Sequence, residues 1–150
     1  MFSSVKKTSA PAHDHNFRAA RIALVERIMV ARVIGDFDYL ESVSTDDIVV
    51  TLIGDTALLP YCGERRGRKE ARQALEQTHI EFSFHDMKID HIMIDGDQVG
   101  LRWTGVLRNR GTGASGKFEG FTHLIFRDNL ICEYFTLVDT ASMSRLSRGD

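Results

Sequence analysis

Residues 120–143 read GFTHLIFRDNLICEYFTLVDTASM. Two mostly apolar runs flank Arg127-Asp128-Asn129, a link short enough to close a hairpin, so the stretch predicts antiparallel strands over Lys117 to Arg127 and Leu130 to Asp139. Two ionisable groups sit where burial is otherwise expected: His123 lies inside the first run and Asp139 ends the second.

Working outward, Ser83 to Ile94 and Val99 to Asn109 predict two more strands, joined by the turn DGDQ, and the four together make an antiparallel meander. RGTGASGK, between the middle two, is a longer glycine-rich loop. Upstream, GRKEARQALEQTH places Ala71, Leu75 and Thr78 on one helical face, and DIVVTLIG is β-branched enough for a strand. GDTALLPYCG reads as a turn and a short irregular strand with Pro60 at an edge or bulge. FRAARIALVERIMVARVI, with Ala20, Leu24, Ile28 and Ala31 at helical spacing, is a long helix that Asn16 can cap and Gly35 ends. DFDYLESV is a short second helix, capped by Asp36, with Phe37 and Leu40 inward.

The order is helix, helix, strand, short strand, helix, then four strands: an α+β chain. Three helices cannot cover both faces of so long a sheet, so it must curl around them or use a second copy. Leu101, Trp103, Gly105 and Leu107 share one face of their strand. On the 118–126 run, Phe121, His123 and Ile125 oppose Thr122, Leu124 and Phe126, so both faces are largely apolar. The outer one is expected to form a homodimer surface.

At 150 residues and 43% hydrophobic, the chain has the size of one domain. The expected division is a tail over 1–15, a domain over 16–143 and a second tail over 144–150. A net charge of −2 gives no global field for nucleic acid or an anionic membrane. The basic run ERRGRKEAR reads as the solvated start of a helix. Cys62 and Cys132 lack metal-knuckle or redox spacing and read as small buried hydrophobes of a reducing compartment. No apolar run approaches the roughly 18 residues that cross a bilayer, so the expected location is cytoplasmic. His13 and His15 fall in the tail. No His, Asp or Glu set recurs at metal-ligand spacing, and no glycine loop suits a phosphate, so neither metal nor cofactor is expected.

DGDQVGLRWTGVL, the helix entry RGRKEA and the ending NLICEYFTLVDTASM together resemble the SnoaL-like branch of the NTF2-like superfamily, over about Phe17 to Met143. The likeness implies a cone: a strongly curved mixed sheet wrapped around three helices of the N-terminal half, a deep apolar cavity between them, and a homodimer packed through the convex face. It also implies which chemistry to test. The base of ketosteroid isomerases falls on Leu52, their oxyanion tyrosine on Ile28 and the assisting aspartate on His123, so that set is not kept. Of the limonene epoxide hydrolase set, the last aspartate falls on Asp139, the arginine on Trp103 and its neighbour on Gly105.

On the residues themselves, His123 is expected on the concave side with Phe121 and Ile125, beside Trp103 and Leu101. There it is close enough to Asp139 for acid–base chemistry on a small hydrophobic or aromatic, cyclic substrate. Two other readings stay open: polar recognition of a ligand without turnover, and a purely structural pair in which Asp139 caps TASM. His91 shares a face, by strict alternation, with Met87, Ile89 and Met93 and is a third candidate pocket group, whereas His79 and His85 read as exposed. Trp103 is the candidate pocket wall. Phe37 and Tyr39 are placed to guard one end, and Leu52 and Ile28 to line the interior.

Overall fold

The computed structural model describes residues 15–150. Helix α1 (His15–Ile34) buries Arg21, Val25, Ile28, Ala31 and Arg32. Ile28 and Ala31 are buried as expected, but in the first half of the helix the stripe runs one residue later than expected, with Ala20 exposed and Leu24 half-buried. The helix thus carries an arginine near each end of its buried face. Gly35, at φ +79°, ends it in a conformation that favours glycine, with its N–H on the Ala31 carbonyl. Helix α2 (Phe37–Ser42) starts where the Asp36 carboxylate accepts from the Tyr39 N–H at 3.1 Å. After β1 (Ser44–Leu52), residues 53–62 form turns rather than a strand, and β2 (Gly63–Arg66) follows. Helix α3 (Arg68–Glu81) buries Ala71, Ala74, Leu75 and Thr78.

The remaining strands are β3 (Phe82–Asp95), β4 (Gln98–Asn109), β5 (Ser115–Arg127) and β6 (Leu130–Val138). They form the expected meander, and the β5–β6 turn places Asp128 and Asn129 both at positive φ, as a tight two-residue hairpin requires. All six strands join in the order β2-β1-β6-β5-β4-β3. The pairing of β1 with β6 is parallel, which makes the sheet mixed. It is open and curved, with α1 and α3 packed against its concave side. Register shifts between His85 and Lys88 and between Ile89 and His91 bend β3.

The chain does not loosen after Met143. A fourth helix, α4 (Thr140–Arg148), buries Met143, Ser144 and Leu146, so the expected tail over 144–150 is replaced by a docked helix. His15 likewise belongs to α1; the rest of the expected N-terminal tail, His13 included, lies outside the described residues.

At one end of the fold, Arg21 ties α1 to the hairpins. It donates to Asp97 and Asn129, both at 3.3 Å, and its guanidinium lies 4.1 Å from the Phe126 ring centroid. At the other end, Glu81 accepts from Ser147 of α4 and Asn109 of β4, joining α3 to both.

Candidate functional site

Strand register decides which side chains share the concave face. Leu101 pairs with Thr122 and Trp103 with Gly120, so the odd-numbered residues of β4 join the even-numbered residues of β5. Thr122, Leu124 and Phe126 are buried on the inside. His123, opposite Gly100 and Phe135, is on the outside, where its Nε2 lies 3.0 Å from the Gln98 Oε1. Phe121 is outside too, its ring lying across Gly100 so closely that a Cβ there would come within 2.9 Å.

Asp139 is exposed at the start of α4. Its carboxylate accepts from the Ser142 N–H at 3.0 Å and from the Ser142 hydroxyl at 2.6 Å. Those bonds hold its pKa below the ordinary carboxylate value. The expectation of a His123–Asp139 pair sharing an interior hollow is therefore corrected: one group is on the convex face and the other caps a helix. His91 is corrected for a different reason. The bulge at Asp90 keeps Ile89 opposite Trp103 inside but turns His91 outward, exposed and opposite Arg102.

Inside the cone a cavity of about 50 Å³ is lined by residues that converge from every layer. Leu52 comes from β1, Tyr61 and Cys62 from the turns after it, Phe84 from β3, Trp103 from β4 and Met143 from α4. Water needs roughly 10–15 Å³, so the space holds a few waters or one compact group. An open groove of about 530 Å³ lies between α1 and β3, lined chiefly by Met29, Val30, Val33, Met87 and Ile89, with Glu26, Asp86 and Lys88 among its polar groups. Phe84 and Trp103 line both spaces, so these two rings are the partition.

The Trp103 ring is set by two neighbours. Gly120 leaves the room for it, since a Cβ there would stand 2.0 Å from the Trp103 Cζ2. Its indole N–H donates to the Thr122 hydroxyl at 3.1 Å, which is 3.0 Å from the Thr136 hydroxyl. This chain has three donor hydrogens and only two internal links, so one hydroxyl hydrogen is left over. Thr136 itself lines the cavity.

Other polar groups crowd the same region. Arg32 is 7% exposed, makes no ion pair among the described residues, and has an Nη1 without a hydrogen-bond partner. Its guanidinium lies 5.0 Å from the Phe84 ring centroid. Burial lowers its pKa, an effect partly offset by the nearby Tyr134 and Tyr61 hydroxyls. The Tyr61 hydroxyl is buried and unpartnered as well; burial, with the Glu81 carboxylate close by, pushes its pKa up, so it stays a proton donor. His79 was expected at the surface but sits between Phe37, edge-on at 5.6 Å, and Phe84, stacked at 6.2 Å. Its buried Nδ1 has no partner, and burial, then Arg110 and Arg32, lower its pKa.

The other expected lining residues are distributed differently. Leu101 and Ile28 are fully buried core positions outside the cavity wall, and Phe37 borders a separate crevice with Leu40 and Leu75. Tyr39 lies under the Arg27 guanidinium, 4.3 Å from its ring centroid. From sequence, His79 was expected at the surface, and Arg32 and Tyr61 were given no role in the site. The spacing Arg21, Val25, Ile28, Arg32 is the signal that places Arg32 on the buried stripe.

The SnoaL-like domain profile matches residues 25–134. Among curated proteins, no sequence match is found. Solved structures share the fold at low identity. An NTF2-like protein of unknown function from Burkholderia pseudomallei aligns with a TM-score of 0.73 at 16% identity, over 83% of this chain and 95% of its own. A limonene-epoxide-hydrolase-like (LEH-like) epoxide hydrolase of M. tuberculosis aligns at 0.65 and 24% identity, over 85% and 90%. A proposed polyketide cyclase from Xanthomonas campestris aligns at 0.66 and 16%, over 84% and 95%. With the curved mixed sheet, the helices on its concave side and a profile match over most of its length, the chain belongs to the SnoaL-like family of NTF2-like domains.

Proposed function

We propose that the protein binds a small, mostly apolar molecule in the space on either side of Phe84 and Trp103. The observation that carries this reading is the meeting of a cavity of about 50 Å³ and a groove of about 530 Å³ at the same two aromatic rings. Sites of that size, largely apolar with a few convergent polar groups, are the usual form of small-molecule sites. Binding without turnover is favoured over acid–base catalysis because His123 and Asp139 lie outside this space. Glu81, the carboxylate close to the Tyr61 hydroxyl, has its Oε1 engaged by Ser147 and Asn109.

Trp103 is the chain's one tryptophan, so its emission reports on the partition without labels. Titration with toluene and methylcyclohexane is expected to shift that emission saturably. A flat titration up to the solubility limit of both probes would refute the reading.

For assembly, we propose that a second copy covers the outer face, where Phe121, Phe135 and Leu137 lie together and Leu137 is 43% exposed. Light scattering is expected to give twice the chain mass; a monomer at micromolar concentration would contradict it.

A further inference from the structure

The hydrogen-bonding groups around the cavity are one-sided. Arg32 has an Nη1 with no acceptor, Tyr61 brings an O–H with none, and the Trp103–Thr122–Thr136 chain has one hydroxyl hydrogen left over. On the acceptor side the nearby carboxylate is Glu81, close to the Tyr61 hydroxyl. Its Oε1 takes Ser147 and Asn109, and the Thr78 hydroxyl is engaged with the Ala74 carbonyl. A buried guanidinium ordinarily lies against a carboxylate, because desolvation without a counter-charge is costly. Arg32 has no ion-pair partner among the described residues; it lies against the Phe84 face and two tyrosine hydroxyls, behind the cavity wall that Tyr61 and Phe84 form.

We infer that the ligand of this cavity carries an anionic oxygen group, a carboxylate or an ionised enol or phenol, which Arg32 and Tyr61 receive while its apolar body rests on Phe84 and Trp103. This rests on the binding proposed above and specifies its ligand class. Size agrees with it. About 50 Å³ accommodates a carboxylate-sized head but not a ring as well, so the body extends across the partition into the groove. Arginine suits the task because its fork of N–H groups stays charged when buried and matches two carboxylate oxygens.

The test compares three probes of one shape, cyclohexanecarboxylate, cyclohexanecarboxamide and methylcyclohexane, with affinity read from Trp103 emission and the indole N–H resonance. A desolvated charge-assisted bond predicts that the carboxylate binds about tenfold or more tighter than the amide. Arg32→Met is expected to erase that preference; Tyr61→Phe, which keeps the ring and so the packing, is expected to reduce it in part. Equal affinity for carboxylate and amide in the wild type overturns the inference but leaves the binding proposal standing. Loss of all three probes in the wild type removes the binding proposal itself. If Arg32→Met does not fold, Tyr61→Phe decides: an unchanged carboxylate preference there counts against the inference.

Discussion

Gly120→Ala is the substitution whose consequence is most fully set by the geometry around the partition. In an extended strand the change alone is favourable, since alanine restricts the unfolded chain and contributes about 0.4–1 kcal/mol. Against that stands the added Cβ, 2.0 Å from the Trp103 Cζ2 and 2.3 Å from its Cε2. A rigid indole cannot yield locally as a flexible side-chain end does, so the whole ring must shift by more than an ångström. Overpacking of this kind costs about 1–3 kcal/mol. The shift also strains the indole bond to Thr122, a buried hydrogen bond whose loss costs about 1–3 kcal/mol more. The clash wins, and a net loss of about 2–4 kcal/mol corresponds to a fall in Tm of about 5–15 °C for a chain of this size. Thermal unfolding by circular dichroism gives the Tm, and the Trp103 indole N–H resonance is expected to move. A Tm within about 2 °C of wild type with an unmoved resonance would refute the placement of the ring against Gly120, and with it the partition.

Asp139→Ala removes a helix N-cap and is expected to cost about 1 kcal/mol in chemical denaturation while leaving toluene affinity unchanged; because the folded carboxyl has a lowered pKa, its contribution is present near neutrality and fades as pH falls through that value. His79 is half-buried with a pKa that burial depresses, so stability is expected to be complete above its unfolded value near 6.5 and to decline as pH falls below it; His79→Gln is expected to flatten the stability profile below that value, and an unchanged slope would contradict the depressed pKa. Arg21 and Asp97 predict unequal costs: Arg21→Met leaves behind the Asp97 carboxylate and the Asn129 amide oxygen, both on exposed residues, and is expected to change stability by under about 1 kcal/mol, whereas Asp97→Ala strips the counter-charge from a buried guanidinium and is expected to cost about 1–3 kcal/mol. Equal losses in denaturant titrations would contradict that asymmetry.

Much of the fold was legible because strand alternation and turn chemistry agree locally. The four long strands, the hairpin at Asp128-Asn129 and the two caps at Asp36 and Gly35 all follow from short-range patterns. What misled is pairing across strands. On β5 both faces are apolar, Phe121 and Ile125 outside against Leu124 and Phe126 inside, so alternation could not say which face is concave. The polar Thr122 is inside only because Trp103 and Thr136 satisfy it, a relation that exists in three dimensions alone. A single bulged residue, Asp90, reversed His91 in the same way. The part of α4 after Met143 was expected as a tail because SRLSRGD is mostly polar; the helix cue is Asp139 three residues before Ser142, followed by Met143 and Leu146 at helical spacing. The candidate site was the least legible part, since its chief polar groups are an arginine on a helix stripe and a tyrosine in a turn.

The most direct measurement is a crystal structure of the protein grown with cyclohexanecarboxylate. The account predicts a ring packed on Phe84 and Trp103 from the groove side, with both carboxylate oxygens turned toward Arg32 and Tyr61. Density for the ring on the outer face beside Phe121 and His123, or a carboxylate pointing to solvent with the cavity unchanged, would contradict it.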